Sequence, residues 1–242
     1  MTRKWIVAFS TLVMALLQAC GQQQATEYGI RPLILDDFTF DLDIPQFFRD
    51  ERIFRYTHDE FSVGSEEYRL DDDSLMTGFI AYRTASWSPS RTLASYAGVK
   101  FENLGLVADW DDEHPLLAYA ATDYGRWDDL RKVMDALKEE YEPTPQLERG
   151  GFMQDNTLYL VFETDGKCAK VLFDLQDLDA IIPDEPYDES QSPRLTPEIE
   201  KTLESQLADR DELPFHLFVY RSEMDEVLDN LSYRSGFLTE FR

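Results

Sequence analysis

Apolar residues along this chain fall into short blocks, and the spacing inside each block predicts its structure. Leu33 to Leu42, LILDDFTFDL, alternates loosely and predicts a first strand. From Pro45 to Asp73 the text is charged and aromatic without a clear period, with room for one short helix or strand. LMTGFIAYR (Leu75 to Arg83) predicts a strand in which Gly78 marks a bulge or a close approach. SWSPSR (Ser86 to Arg91) reads as a loop from its Ser and Pro content. GVKFENLGLVADW and PLLAYAAT predict two further strands around the acidic loop DWDDEH, Asp109 to His114.

The spacing then changes. Trp127, Leu130, Met134, Leu137 and Tyr141 recur at three and four, one apolar stripe of a helix. Asp123 or Asp128 serves its N-terminus in this reading, and Pro143 with Pro145 ends it. NTLYLVFETDGKCAKVLFDL predicts a hairpin with a tight primed turn at Asp165-Gly166. Its first arm, Leu158 to Phe162, is apolar on both faces and belongs inside a sheet, and Val171, Phe173 and Leu175 share one face of the second arm. Asp184 to Ser192 reads as an acidic linker. Thr196-Pro197 then caps a helix with the stripe Ile199, Leu203, Leu207. FHLFVYR (Phe215 to Arg221) predicts a strand, and Ser222 with Asp225 a capping box for a last helix containing Met224, Val227, Leu228 and Leu231. Strands in sequential groups with helices between them predict an α+β fold, a mainly antiparallel sheet with helices packed on one face. Strands followed by a helix occur twice, at 75–141 and 152–209, but no residue identity links the two. Residues 30–242 are therefore read as a single acidic domain.

The N-terminal residues follow a different logic. MTRK carries two cations and no acid, and the apolar run from Trp5 to Leu17 is shorter than the about 20 residues of a membrane span. These are the charged and hydrophobic regions of a secretory signal peptide, residues 1–19. Leu17-Gln18-Ala19-Cys20 resembles the lipobox of bacterial lipoproteins. That resemblance implies acylation of Cys20, a flexible tether over residues 20–29, and a domain facing the periplasm from the cell membrane or outer membrane. Gly21, where Asp would signal retention, implies freedom to reach the outer membrane. It covers only the first twenty residues and leaves the domain unassigned.

Composition sharpens the picture. Removal of residues 1–19 takes Arg3 and Lys4 and leaves 48 acids against 21 bases, a net charge of −27. A surface of that sign repels nucleic-acid phosphate and attracts basic partners over about a Debye length. Nucleic acid is excluded as a partner on this ground, and the membrane is reached through the lipid anchor only. The preference for Arg over Lys, 16 against 7, also fits a saline habitat. Sixteen Phe and twelve Tyr argue for a folded core. After export Cys168 is the one thiol left, so packing rather than a disulfide must hold the domain.

Candidate chemistry is sparse. His58, His114 and His216 are the whole histidine supply, and none has a second histidine four residues on. His216 alternates with Phe218 and Tyr220 and reads as a packed or half-exposed strand histidine. Cys168 follows Lys167, a cation that could lower its pKa, but it reads as a buried strand cysteine. The clusters DDDS (Asp71 to Ser74) and DWDDEH lack the glycine and distal glutamate of an EF-hand. No cofactor and no metal is expected. Trp87 in the Ser/Pro loop, and Trp110 among Asp109, Asp111, Asp112 and Glu113, are aromatics in loops; a ring bordered by carboxylates suits a basic protein partner. Three functions stay open. The first is a non-enzymatic binding lipoprotein, an inhibitor or immunity-type protein that captures a basic toxin or enzyme. The second is a structural or assembly lipoprotein of the envelope. The third is a hydrolase or metal-dependent enzyme with an unrecognised acidic site.

Overall fold

A computed structural model describes residues 32–48, 53–54, 63–69, 78–84, 92–109, 114–150, 156–182, 193–229 and 236–241. The strands are β1 (Leu33–Ile34), β2 (Ile53–Phe54), β3 (Val63–Arg69), β4 (Gly78–Thr84), β5 (Ala94–Tyr96), β6 (Val99–Phe101), β7 (Asn103–Asp109), β8 (Pro115–Thr122), β9 (Gln146–Arg149), β10 (Thr157–Thr164), β11 (Lys167–Asp174) and β12 (Phe215–Arg221). The helices are α1 (Ile44–Phe48), α2 (Trp127–Glu140), α3 (Pro197–Leu207) and α4 (Glu223–Asp229), with a 3₁₀ helix at Gly236–Glu240. Nine strands form one sheet in the order β2-β3-β4-β7-β8-β12-β11-β10-β9, and β1-β5-β6 form a small second one. Pairing in the large sheet is antiparallel except between β2 and β3. The fold is α+β with a mainly antiparallel sheet.

Side chains alternate across a strand, so each strand supplies two faces. Leu104, Leu106, Ala118, Ala120, Val171, Phe173, Leu217 and Val219 point to one face and pack with Trp127, Leu130, Val133, Met134 and Leu137 of α2 and Leu203 and Leu207 of α3. Their sequence neighbours Val107, Leu117, Tyr119, Leu172, Phe218 and Tyr220 form the second face, covered by Met224 and Leu228 of α4 and by Phe237, Leu238 and Phe241 of the C-terminal segment. The expectation of helices on one face therefore describes α1, α2 and α3, whose buried residues join the first-face cluster, and not α4, which lies on the second face. The central strands carry apolar residues at both parities, and a sheet so built needs cover on both sides.

Several boundaries move for identifiable reasons. The first strand stops after Ile34, because the chain turns at Asp36, whose carboxylate accepts the Ala97 amide at 2.8 Å. GVKFENLGLVADW splits into β6 and β7 at Glu102, whose side chain accepts the Thr122 hydroxyl and the Asp123 amide. The N-cap of α2 is Arg126, with no side-chain cap; Asp128 lies in the first turn, where a carboxylate favours the N-terminus, and Asp123 lies before the helix. Thr196 does cap α3, accepting the Ile199 amide at 3.3 Å. The β10–β11 hairpin closes at Asp165-Gly166, but only Gly166 has positive φ, 75°, so this is not the type I′ turn that needs both residues there. The duplication fails on geometry. Within 75–141 and 152–209, the pairs β7-β8 and β10-β11 run in reversed spatial order with β8 parallel to β11, and their following helices lie on the same face. That relation is a mirror image, which no rotation of a repeated unit produces.

Candidate functional site

Of the residues that the sequence nominates for partner contact, Asp109 is described. It is exposed, closes β7 and pairs with Phe79. Cys20, Trp87, Trp110, Asp111, Asp112 and Glu113 lie outside the described residues, as do His58, the DDDS cluster and the whole acidic linker. The roots of the two tryptophan loops are described. Residues 110–113 join β7 to β8 beside the start of β4, where Phe79 faces Asp109. The segment holding Trp87 leaves β4 at Thr84 and returns at Leu93, whose amide donates to the carbonyl of Phe101. Those roots lie at opposite ends of β4, about 20 Å apart for seven extended residues.

The described residues bring two polar groups together on the second face. In the first, Lys170 sits on β11 with its side chain 4% exposed, and its ammonium donates to Asp225 of α4 at 3.0 Å. The Tyr220 hydroxyl donates to the same carboxylate at 2.9 Å. The ammonium also lies 4.2 Å from the centre of the Phe241 ring and 5.7 Å from that of Tyr220. Asp225 is thus a counter-ion, and its carboxylate is not the second half of a capping box with Ser222. Cys168 belongs to this face; burial first, then Asp225 and Glu163, push its thiol up to about 12. A thiol so raised stays protonated and is a poor nucleophile. Cys168 is the buried strand cysteine that the sequence suggests, and the neighbouring cation, Lys167, pairs with Glu140 at 2.7 Å.

The second group joins β8, β12 and the C-terminal segment. The Tyr119 hydroxyl lies 3.0 Å from His216 Nδ1, and its ring stacks on Phe237 at 4.8 Å and 15°. Burial raises the Tyr119 pKa, with Glu240 and Asp123 adding to it, so the phenol keeps its proton, and the imidazole tautomer sets which of the two groups donates. Burial also holds the His216 imidazole below its ordinary value, against the opposing pull of Glu240, Asp123 and Asp174. His216 is thus a structural strand histidine with a specific partner.

The surface of the first face tells more about partners. Eight described bases, Arg131, Lys132, Lys138, Arg149, Lys167, Lys170, Arg194 and Arg221, are engaged by carboxylates. Exposed acids remain in excess on α2, α3 and their flanks, including Asp123, Glu139, Glu204, Asp209, Asp211 and Glu212. Among them stands Tyr124, 51% exposed. The loop at Asp211–Glu212 lies beside it, since the Leu213 amide donates to the Gly125 carbonyl at 2.7 Å. Sequence reasoning missed Tyr124, because in ATDYGRWDD it has one adjacent acid, Asp123, with the base Arg126 two residues on, and Asp211 and Glu212 reach it only through the fold.

Among the described residues, no group of three or more His, Cys, Asp and Glu is placed to hold a metal ion, and no helix is long and apolar enough to cross a membrane. Compared with known protein families, curated proteins and solved structures, the chain matches none.

Proposed function

We propose that this protein is an envelope-anchored, non-catalytic binding lipoprotein that captures a basic protein. In its sharpest form it is an inhibitor or immunity-type protein for a basic toxin or enzyme met in the periplasm. The observation that carries the reading is the imbalance of 48 acids over 23 bases. It is accompanied on the described surface by exposed carboxylates such as Asp123, Glu139, Asp211 and Glu212. Cys20 supplies the anchor. Tyr124, among Asp123, Asp211 and Glu212, is assigned as a contact, where a partner's Lys or Arg would lie over the ring.

The full-length protein in detergent is used to capture partners from cognate cell extract and secreted fraction under rising salt. One basic protein retained at moderate salt, and bound at least about tenfold more weakly by Tyr124→Ala (about 1.4 kcal/mol), is the expected result. A mixture of basic proteins all lost together at modest salt overturns it and leaves the envelope-structural role ahead. Cys20→Ser abolishes lipid labelling and membrane retention; labelling that persists in the variant sinks the anchor.

A further inference from the structure

We infer that Glu102 is the positioning residue for the Tyr124 contact: its carboxylate locks the turn at residues 122–125, so that the ring meets a partner's cation already in its bound pose. The inference rests on the functional reading above and names what makes that contact rigid.

Glu102 stands between β6 and β7, next to the pair that Asn103 makes with Ala121 of β8. Its Oε1 accepts the Thr122 hydroxyl at 3.1 Å and the Asp123 amide at 2.6 Å. The Thr122 Oγ1 in turn accepts the Tyr124 amide at 3.2 Å. One carboxylate oxygen thus fixes two successive residues directly and a third through a hydroxyl. Thr122 is buried, so its hydroxyl has these partners in place of water. Gly125 is held from the other side. Its carbonyl accepts the Leu213 amide at 2.7 Å, and a Cβ on it would sit 2.5 Å from the Phe215 ring. Phe215 in turn meets Phe101, the residue before Glu102, edge-on at 5.7 Å.

This scaffold carries a large ring that it does not use. Tyr124 is half exposed, and among the described residues its ring has no stacking, cation or hydrogen-bond partner. A loop that is mobile before binding loses backbone freedom on contact, and that loss is subtracted from the affinity. A turn pinned at four successive residues has lost the freedom on folding, and an aromatic side chain adds little entropy of its own to lose. The pose needs an acceptor at Glu102 rather than a charge. A glutamine carbonyl there accepts the same two donors, and an alanine accepts neither.

The probe is the peptide acetyl-GRGRG-amide, with citrulline in place of arginine as the uncharged control. Full-length protein in detergent, carrying isotopically labelled tyrosine, is titrated at low salt. The Tyr124 signal is assigned by its loss in Tyr124→Phe. The arginine peptide is expected to move that signal and the citrulline peptide to leave it. Glu102→Gln should bind within about twofold of the wild type, and Glu102→Ala about tenfold more weakly, the cost of ordering about one residue on contact. In Glu102→Ala the Asp123 and Tyr124 amides should also exchange faster, while those of β8 and β12 keep their protection. Thr122→Val, which removes the relay hydroxyl, should weaken the peptide in the same way, and Thr122→Ser should not; this pair decides the matter if Glu102→Ala does not fold. The inference is overturned by a Tyr124 signal that the arginine peptide does not move, or that citrulline moves equally. Wild-type affinity in Glu102→Ala overturns it, and so does a Glu102→Gln variant as weak as Glu102→Ala, which would make the charge and not the pose decisive. Peptide binding with this pattern, but no basic protein retained from extract, fails the functional reading alone. A basic protein held equally well by Glu102→Ala fails this inference alone.

Discussion

An ammonium group on an interior strand loses nearly all its water, and what it receives in exchange decides how the site responds to substitution. Lys170 receives one carboxylate and the faces of two aromatic rings. Its side chain is 4% exposed and that of Asp225 is 32% exposed, so the partners are unequal. Removing the carboxylate strands a buried cation, whereas removing the cation leaves a carboxylate that can rehydrate and still accept from Tyr220. Asp225→Ala is therefore expected to cost about 3–5 kcal/mol and Lys170→Met about 1–2 kcal/mol, the difference coming from the uncompensated charge. Urea unfolding of the two variants checks the order; equal losses, or a larger loss for Lys170→Met, refute it. The Gly166 position makes a gentler case. A Cβ there meets nothing within 4 Å, yet its φ is 75°, so Gly166→Ala carries backbone strain alone, about 1–2 kcal/mol.

At the scale of the element, the sequence was readable where one period governed a whole segment. The stripe from Trp127 to Leu137 marks α2, and the paired runs about Asp165-Gly166 mark β10 and β11, because burial of one face or both leaves a pattern in the text. Thr196-Pro197 marks the start of α3 for a local reason, a hydroxyl that reaches back to an amide, and Thr196→Ala should lower stability by about 1 kcal/mol in thermal melts. A loss below a few tenths would show that Pro197 and packing hold the helix start without the cap. What was not readable depends on partners far along the chain. Glu102 breaks a strand by binding Thr122 and Asp123; Asp225 leaves its cap position for Lys170, 55 residues earlier. The C-terminal segment is too short to carry a period, and its place on the second face follows from Gly105 and Tyr119. For the candidate site the same holds: Trp110 was chosen for its neighbours in sequence, and Tyr124 gains Asp211 and Glu212 only through the fold.

Across the whole molecule, two electrostatic tendencies oppose each other as salt rises. The net charge of −25 and pI of about 4.3 mean that carboxylates repel one another at neutral pH, and screening relieves this. Screening also weakens the surface ion pairs, such as Arg131–Asp128 and Arg194–Glu142, but exposed pairs of that kind contribute about 0–1 kcal/mol each. The Debye length contracts from about 30 Å at 0.01 M to about 3 Å at 1 M, so repulsion summed over many distant charges is relieved more than contacts near 3 Å are lost. The melting temperature is therefore expected to rise by several degrees between about 0.01 M and about 1 M NaCl. Capture of a basic partner responds in the opposite sense, because the same screening removes the attraction that steers and holds it. Measured together, the two curves should diverge, with the domain more stable where it binds more weakly. If both fall together, the weaker capture is unfolding and says nothing of charge. If stability rises while affinity for the retained protein stays flat, the acidity serves the fold in salt, and the partner is held by contacts such as Tyr124.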